Sequence, residues 1–493
     1  MIHQSKIKHS AVALALMISS TGYLPVYAQN PINLPDFGDS TGQLISPEEE
    51  QKFGKRFFYA LQEKAELNKD LEIHEYIELL GQRLAKNSDS PQVPFHFFVV
   101  MDPQINAFAG PGGYIGINAG LILRSKREGE LASVMAHEIA HVTQRHLYRA
   151  YEASKQLSIP ATMATIASLL LGFVSPELAQ GALIATQAGS IQYQINFTRD
   201  NEQEADRVGM QMLSQSEYDP RNMVSFFETL QEASRLYGSG PPEFLRTHPL
   251  PTSRIADAAA RAEKFPRLKQ DDSLAYELIK VKLATGTKNV PEKLFETTDT
   301  INDKQGKAKP GSAKLLANKY KQALAYSRNK KYKRAIPLLQ QLVDQHPEQP
   351  FFITALAQAE NQAGDLKASV KTWKTAHKTF PGRLSILMPY TQVLQEDKQY
   401  NQARELLQHA IWNGAKLPAL YKGLAETYYQ QKQKAQAHRY LGEYHHLRGE
   451  LELAVTQLRL AAKTAQDNFY MTETVAEQLK QIRYEIKERE EEG

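Results

Sequence analysis

Cysteine is absent from all 493 residues, so no disulfide can staple the fold. The same absence removes the thiol that a lipid anchor would need beside an export cleavage site. Charge of one sign is also scarce: 59 Lys and Arg stand against 55 Asp and Glu, a formal net charge of +4. The basic residues are spread along the chain without a strong block, which argues against nucleic acid as a partner. Long hydrophobic runs are lacking too. A bilayer-spanning helix needs about 20 consecutive apolar residues. Neither AVALALMI (11–18) nor the apolar stretch 160–189, broken by Pro176 and Glu177, reaches that length. Stability must therefore come from a packed core and bound metal. The 42% hydrophobic and 23% charged content is that of a globular protein, and the length leaves room for roughly two to four domains.

What is present begins with a signal. Lys6, Lys8 and His9 precede the short apolar run, and Val26-Tyr27-Ala28 supplies a small-residue cleavage site. Residues 1–28 read as a secretory signal peptide cut after Ala28. With no lipid-anchor cysteine, this predicts a soluble protein of the periplasm. A first domain is expected over 29–270, a linker over 271–312 and a second domain over 313–493. Helical spacing runs through 47–86, HFFVVM (96–101) and GGYIGIN (112–118) read as strands, and RDNEQEADRVGMQMLSQ (199–215) reads as a helix. Ser125 and Glu128 form an S-x-x-E capping-box pattern ahead of another helix. The stretch 160–189 reads first as a buried helical hairpin. The alternative is a lid that touches substrate or makes peripheral contact with a membrane.

Beyond the Gly/Pro/Lys-rich passage that ends near residue 312, a period of 34 residues appears. Ala335, Ser369, Ala403 and Ala437 fall at this interval, as do Pro347 and Pro381. Small residues where two helices cross, with Pro after the second helix, resemble the tetratricopeptide repeat. Such repeats stack into an all-α solenoid. Residues 449–466 look like one further repeat at a half-period offset.

The chemistry concentrates in HEIAH. His137 and His141 are four residues apart, so they share one helical face and can hold one cation, with Glu138 placed to reach a metal-bound water. His146 lies nine residues after His137, a rotation of about 180° on a continuous helix, and so should face away. A catalytic zinc needs a third protein ligand. Glu202 and Asp206, again four apart, supply Glu202 as that ligand and Asp206 as a hydrogen-bond partner for a histidine ring. Glu204 is turned about 200° from Glu202, so only one of the two can face the metal.

HEIAH followed by TRDNEQEAD resembles the gluzincin peptidases that include the prenyl-protein-processing and heat-shock membrane proteases, through Thr198, Arg199, Glu202, Ala205 and Asp206. NAFAGPGGYIGINAGLI and RTHPLPTSR resemble two further segments of that family. The resemblance implies a mostly helical α+β zincin-like domain with a small sheet, one Zn2+ per chain, and peptide-bond hydrolysis with Glu138 as general base. It implies that Gly112, Gly113 and Tyr114 edge the cleft and pair with extended substrate. It also implies that His248 approaches the zinc and that Arg254 steadies developing negative charge. An exported core of this kind with repeats behind it implies unfolded or partly folded outer-membrane β-barrel proteins as clients. Their assembly machinery would then be the partner held by the repeats. The alternative is a chaperone or scaffold whose zinc is structural, or latched by His248 as a fourth ligand.

Overall fold

The computed structural model describes residues 45–149, 199–236, 244–269, 271–286, 312–465 and 468–492. The expected signal peptide and the 160–189 hairpin lie outside these residues. The architecture is an α+β part with a small sheet, followed by an all-α array of paired helices.

The helical stretch near the start is two helices. Helix α1 (Pro47–Lys64) opens on a capping box between Ser46 and Glu49, and helix α2 (Leu71–Ala85) is capped by Asp70. Strands β1 (His96–Val100), β2 (Ala107–Ala109) and β3 (Tyr114–Asn118) form one sheet in the order β1-β3-β2. The central β3 is parallel to β1 and antiparallel to β2. Helices α3 (Ala119–Arg124), α4 (Glu128–Thr143), α5 (Arg199–Gln215), α6 (Arg221–Leu236), the single turn α7 (Phe244–Thr247) and α8 (Thr252–Ala262) complete this part.

The capping box expected at Ser125 does not form. Ser125 Oγ donates back to the Leu121 carbonyl. The Glu128 carboxylate accepts from Tyr76 Oη, Ser273 N and Ser273 Oγ. The Glu128 amide is instead capped by Asp272, 144 residues away, at 2.8 Å. Local pairing lost to a distant carboxylate that the fold brings to the helix N-terminus, where negative charge is favoured.

The expected linker is also corrected. Residues Leu274–Gly286 form helix α9, whose Tyr276, Leu278, Ile279 and Leu283 are buried. These residues belong to one hydrophobic core that runs from Ile73 in α2 to Ala359 in the repeats. Helix α9 thus joins the two parts by burying its apolar side chains between them.

The repeats pair helices Ala313–Arg328 with Tyr332–Gln345, Pro350–Gln362 with Leu366–Thr379, Leu384–Glu396 with Tyr400–Trp412, and Pro418–Gln430 with Lys434–Leu447. Helices Leu451–Thr464 and Phe469–Glu492 follow. Ala335, Ser369, Ala403 and Ala437 are all buried, and Ser369 Oγ donates to the Ala357 carbonyl of the partner helix. The array meets the first part at several places. Thr354 Oγ1 donates to Glu72, Ser385 N and Oγ both donate to Glu75, and Tyr59 Oη donates to the Leu447 carbonyl. Glu72 also pairs with the partly buried ammonium of Lys282 from α9.

Candidate active site

Helix α4 is shielded from Glu128 through His141 without interruption, as befits a helix at the centre of a core. Its i, i+4 spacing sets His137 and His141 side by side with Glu138 adjacent. Helix α5 packs closely across it at Gly209. A Cβ at that position would lie 3.4 Å from the Ala136 carbonyl carbon and the His137 nitrogen, and 3.2 Å from Met223. The bare backbone permits this approach, which carries Glu202 and Asp206 against the two histidines.

The result is a compact set of donors. Ligand atoms of His137, His141, Glu202 and His248 all lie within 4.8 Å of one another, and all four residues are buried. His137 Nε2 and His141 Nε2 are 2.9 Å apart. Glu202 Oε2 is 3.5 Å from His137 Nε2, and Glu202 Oε1 is 3.4 Å from His141 Nε2. His248 Nδ1 stands 2.9 Å from Glu202 Oε1 and 3.4 Å from His137 Nε2. The His248 ring stacks on Phe244 at 4.6 Å, and the Phe244 amide donates to the Ile105 carbonyl beside the sheet. Behind the cluster, Asp206 Oδ1 is 3.0 Å from His137 Nδ1.

This donor set fits a metal ion. With Nδ1–H of His137 directed at Asp206, its Nε2 presents a lone pair toward His141 Nε2. Two lone pairs at 2.9 Å need a shared positive charge between them. Zinc with bonds of about 2.0–2.1 Å would set two tetrahedral nitrogens about 3.3 Å apart, close to the spacing found. The surrounding charges favour a cation at this point. Burial opposes charge on His137, but Asp206 and Glu202 outweigh it and raise its pKa to about 9. Burial also opposes charge on Glu202, yet His248 and Arg254 hold it well below the ordinary carboxylate range. Glu138 moves the other way, pushed up chiefly by burial. Its Oε1 is buried with no hydrogen-bond partner, with His248 Nε2 3.6 Å away. A buried carboxylate oxygen in that condition is costly unless a bound water or substrate uses it.

Three expectations meet a different geometry. Arg254 does not face open space: Nε and Nη2 donate to Asp206 at 2.6 and 2.8 Å, and Nη1 lies 2.6 Å from Glu202 Oε2. Its guanidinium is held by the carboxylates that back the site, because two buried anions need a cation more than a loop does. Gly112 and Gly113 form a tight turn with φ of 68° and 77°, covered by α1, whose Gln51 Nε2 donates to the Gly112 carbonyl. Tyr114 stacks on Phe58 within β3, and β3 is paired on both sides. Strand β2 is one of the two outer strands of the sheet, and its groups facing away from β3 belong to Ala107 and Ala109, since Asn106 and Gly110 bond to Asn118 and Tyr114. Ala109 lines a small cavity with His141, Arg145 and Tyr148.

His146 is the third. Helix α4 ends at Thr143, and Arg145 adopts φ of 54°. The chain doubles back, so the rotation expected of a continuous helix does not apply. His146 Nδ1 meets His141 Nδ1 at 2.8 Å, on the side of that ring away from the cluster. Glu204, turned from Glu202, meets His146 Nε2 at 3.2 Å. Spacing alone gave no signal for either contact, because Arg145 is an unusual residue for a left-handed turn.

Comparison with known proteins places this geometry. The model of peptidase family M48 matches residues 72–262, and a tetratricopeptide repeat model matches residues 318–348. The β-barrel assembly-enhancing protease of Escherichia coli is 38% identical over 365 residues, 73% of this chain and 74% of its own. A Vibrio cholerae relative is 41% identical over 338 residues, 68% of each chain. The mitochondrial metalloendopeptidase OMA1 of Schizosaccharomyces pombe is 29% identical over 180 residues, 36% of this chain and 50% of its own. Paired histidines, a buried glutamate between them and a repeat array behind are therefore the parts of a zinc metalloendopeptidase, and the chain belongs to the β-barrel assembly-enhancing proteases, a family M48 peptidase domain followed by tetratricopeptide repeats.

Proposed function

We propose that this chain is a periplasmic endopeptidase that holds about one zinc ion on His137, His141 and Glu202 and degrades outer-membrane β-barrel proteins that fail to assemble. The observation that carries this reading is the unpartnered Glu138 Oε1 beside the buried donor set. The domain limits 29–270 and 313–493 belong to it, with α9 as their joint. The name of the relatives and the export signal read at residues 1–28 support the client class and the compartment. No helix among the described residues is long and apolar enough to cross a membrane.

Bound zinc supplies Lewis acidity toward a scissile carbonyl and lowers the pKa of water. Glu138 accepts the proton of the attacking water at its free Oε1 and returns it to the leaving amine nitrogen. Asp206 orients the His137 ring through Nδ1, and Arg254 holds Asp206 and Glu202 in place. The backbone groups of Ala107 and Ala109 on the sheet edge offer an extended substrate strand its pairing partners. The repeats present the surface that grips an unfolded client or the assembly machinery.

One observation favours a second reading. His248 Nδ1 sits among the donors, so as a fourth ligand it would close the site and leave a chaperone or scaffold that cuts little. His248→Ala separates the two. The latched reading expects a rise in casein cleavage of about tenfold or less with zinc bound more weakly, as loss of one ligand implies. Unchanged cleavage and unchanged zinc affinity overturn the latch. In cells lacking the chain, barrel-protein assembly should be restored by wild type and not fully by Glu138→Gln. Equal restoration by both overturns the proteolytic role.

A further inference from the structure

His137 and His141 are supported unequally. A carboxylate, Asp206, touches the rear nitrogen of His137 directly. The rear nitrogen of His141 touches a second imidazole, His146, at 2.8 Å, and only beyond it a carboxylate, Glu204, at 3.2 Å. The His146 side chain is 0% exposed. The two rings are inclined at 75°, and they meet through their Nδ1 atoms. Glu204 is in turn anchored by Arg149 Nη1 at 2.8 Å, with Arg207 Nη2 at 3.6 Å from its other oxygen. His146 and Arg149 follow the turn after α4, and Glu204 stands on α5, so this carboxylate ties the end of one donor helix to the other.

Hydrogen-bond chemistry allows this chain one assignment. With Nε2 of His141 given to the metal, beside His137 and Glu202, its proton sits on Nδ1. That N–H donates to His146 Nδ1, which must then be bare. The His146 proton therefore sits on Nε2 and donates to the ionised Glu204. A charged His146 would set two N–H groups against each other at 2.8 Å and break the chain.

We infer that His146 and Glu204 are positioning residues, which fix the tautomer and orientation of His141 through the chain Glu204–His146–His141. The inference rests on His141 being a zinc ligand. Outer partners of this kind are worth about 10–100-fold in metal affinity. Because three alternate residues of α5 take three roles, Glu202 faces the donors, Asp206 holds one histidine and Glu204 holds the other through His146. A role in packing alone would instead make His146 replaceable by any side chain of like volume.

The test measures zinc affinity by chelator competition, together with the visible spectrum of the cobalt(II)-loaded protein and thermal unfolding with chelator present. His146→Asn places an amide oxygen where Nδ1 was and can still accept from His141. His146→Gln places its amide at the Nε2 end, toward Glu204. His146→Asn is expected to bind zinc within about threefold of wild type, and His146→Gln to lose about 10–100-fold with an altered cobalt spectrum. Glu204→Ala, at a half-exposed site, is expected to lose zinc affinity several-fold, beyond any change in chelated stability. Equal affinities for His146→Asn and His146→Gln, or unchanged zinc binding in Glu204→Ala, overturn the inference. Failure of the ligand reading itself shows separately, as wild-type zinc affinity in His141→Ala.

Discussion

Replacing Glu138 with glutamine should slow peptide cleavage by about 10²–10⁴-fold while leaving zinc content and the unfolding temperature close to wild type. Glutamine keeps the shape of a side chain that is 1% exposed at the end of a packed helix face. It removes the proposed proton acceptor: the buried Oε1 oxygen that has no hydrogen-bond partner. Burial raises the affinity of Glu138 for a proton, which brings it nearer to the working range of a general base at neutral pH. The glutamine amide can turn either its oxygen or its NH2 toward His248 Nε2, 3.6 Å away, so the substitution need not leave an unpaired group there. The comparison uses a quenched-fluorescent peptide and metal analysis of the same samples. A rate equal to wild type at full zinc occupancy would show that some other group moves the proton.

The largest effect on folding is expected from Arg254→Met. The arginine is 3% exposed and is the shared cation of Asp206 and Glu202. Its loss leaves two buried carboxylates facing each other with one charge uncompensated, a situation that costs about 3–5 kcal/mol. Methionine fills similar volume over Phe227, where the guanidinium now lies 5.1 Å from the ring centroid, so the change in packing is the smaller part. Urea unfolding with chelator present should show the full loss. Zinc should recover part of it, because a ligand that binds only the folded state stabilises that state. Stability equal to wild type would mean that the two carboxylates do not depend on Arg254.

These two residues mark how far the sequence could be read. HEIAH announces itself because the two proposed ligands and the proposed base lie within one helical turn and a half, where spacing alone fixes which side chains meet. Glu202 and Asp206 repeat the same four-residue interval, and the 34-residue period of Ala335, Ser369, Ala403 and Ala437 follows from a repeated crossing of paired helices. Contacts that depend on distant segments left no such mark. The pairing of Arg254 with Asp206 joins positions 48 apart, and Asp272 reaches Glu128 across 144. Helix α9 was concealed by the Gly/Pro/Lys-rich passage after it, although Tyr276, Leu278, Ile279 and Leu283 carry a helical burial pattern. His146 depended on a single backbone reversal at Arg145, a residue that signals no turn.

The repeats add a consequence for the enzyme. Glu72 and Glu75, on the first two turns of α2, accept from Thr354 and Ser385 in the repeats, and the same core extends from α2 through α4 to the repeat helices. The peptidase part therefore rests on the repeats through packed side chains and directed hydrogen bonds.

The central claim is that one buried metal ion on donors from α4 and α5 makes this chain a peptidase. Wild-type protein stripped of metal by a chelator and then titrated with zinc, with casein cleavage followed at each addition, tests it directly. Cleavage should fall to background on stripping and return in proportion to zinc up to about one ion per chain. Cleavage that persists in the stripped protein, or that zinc fails to restore while the fold remains intact, would contradict the account.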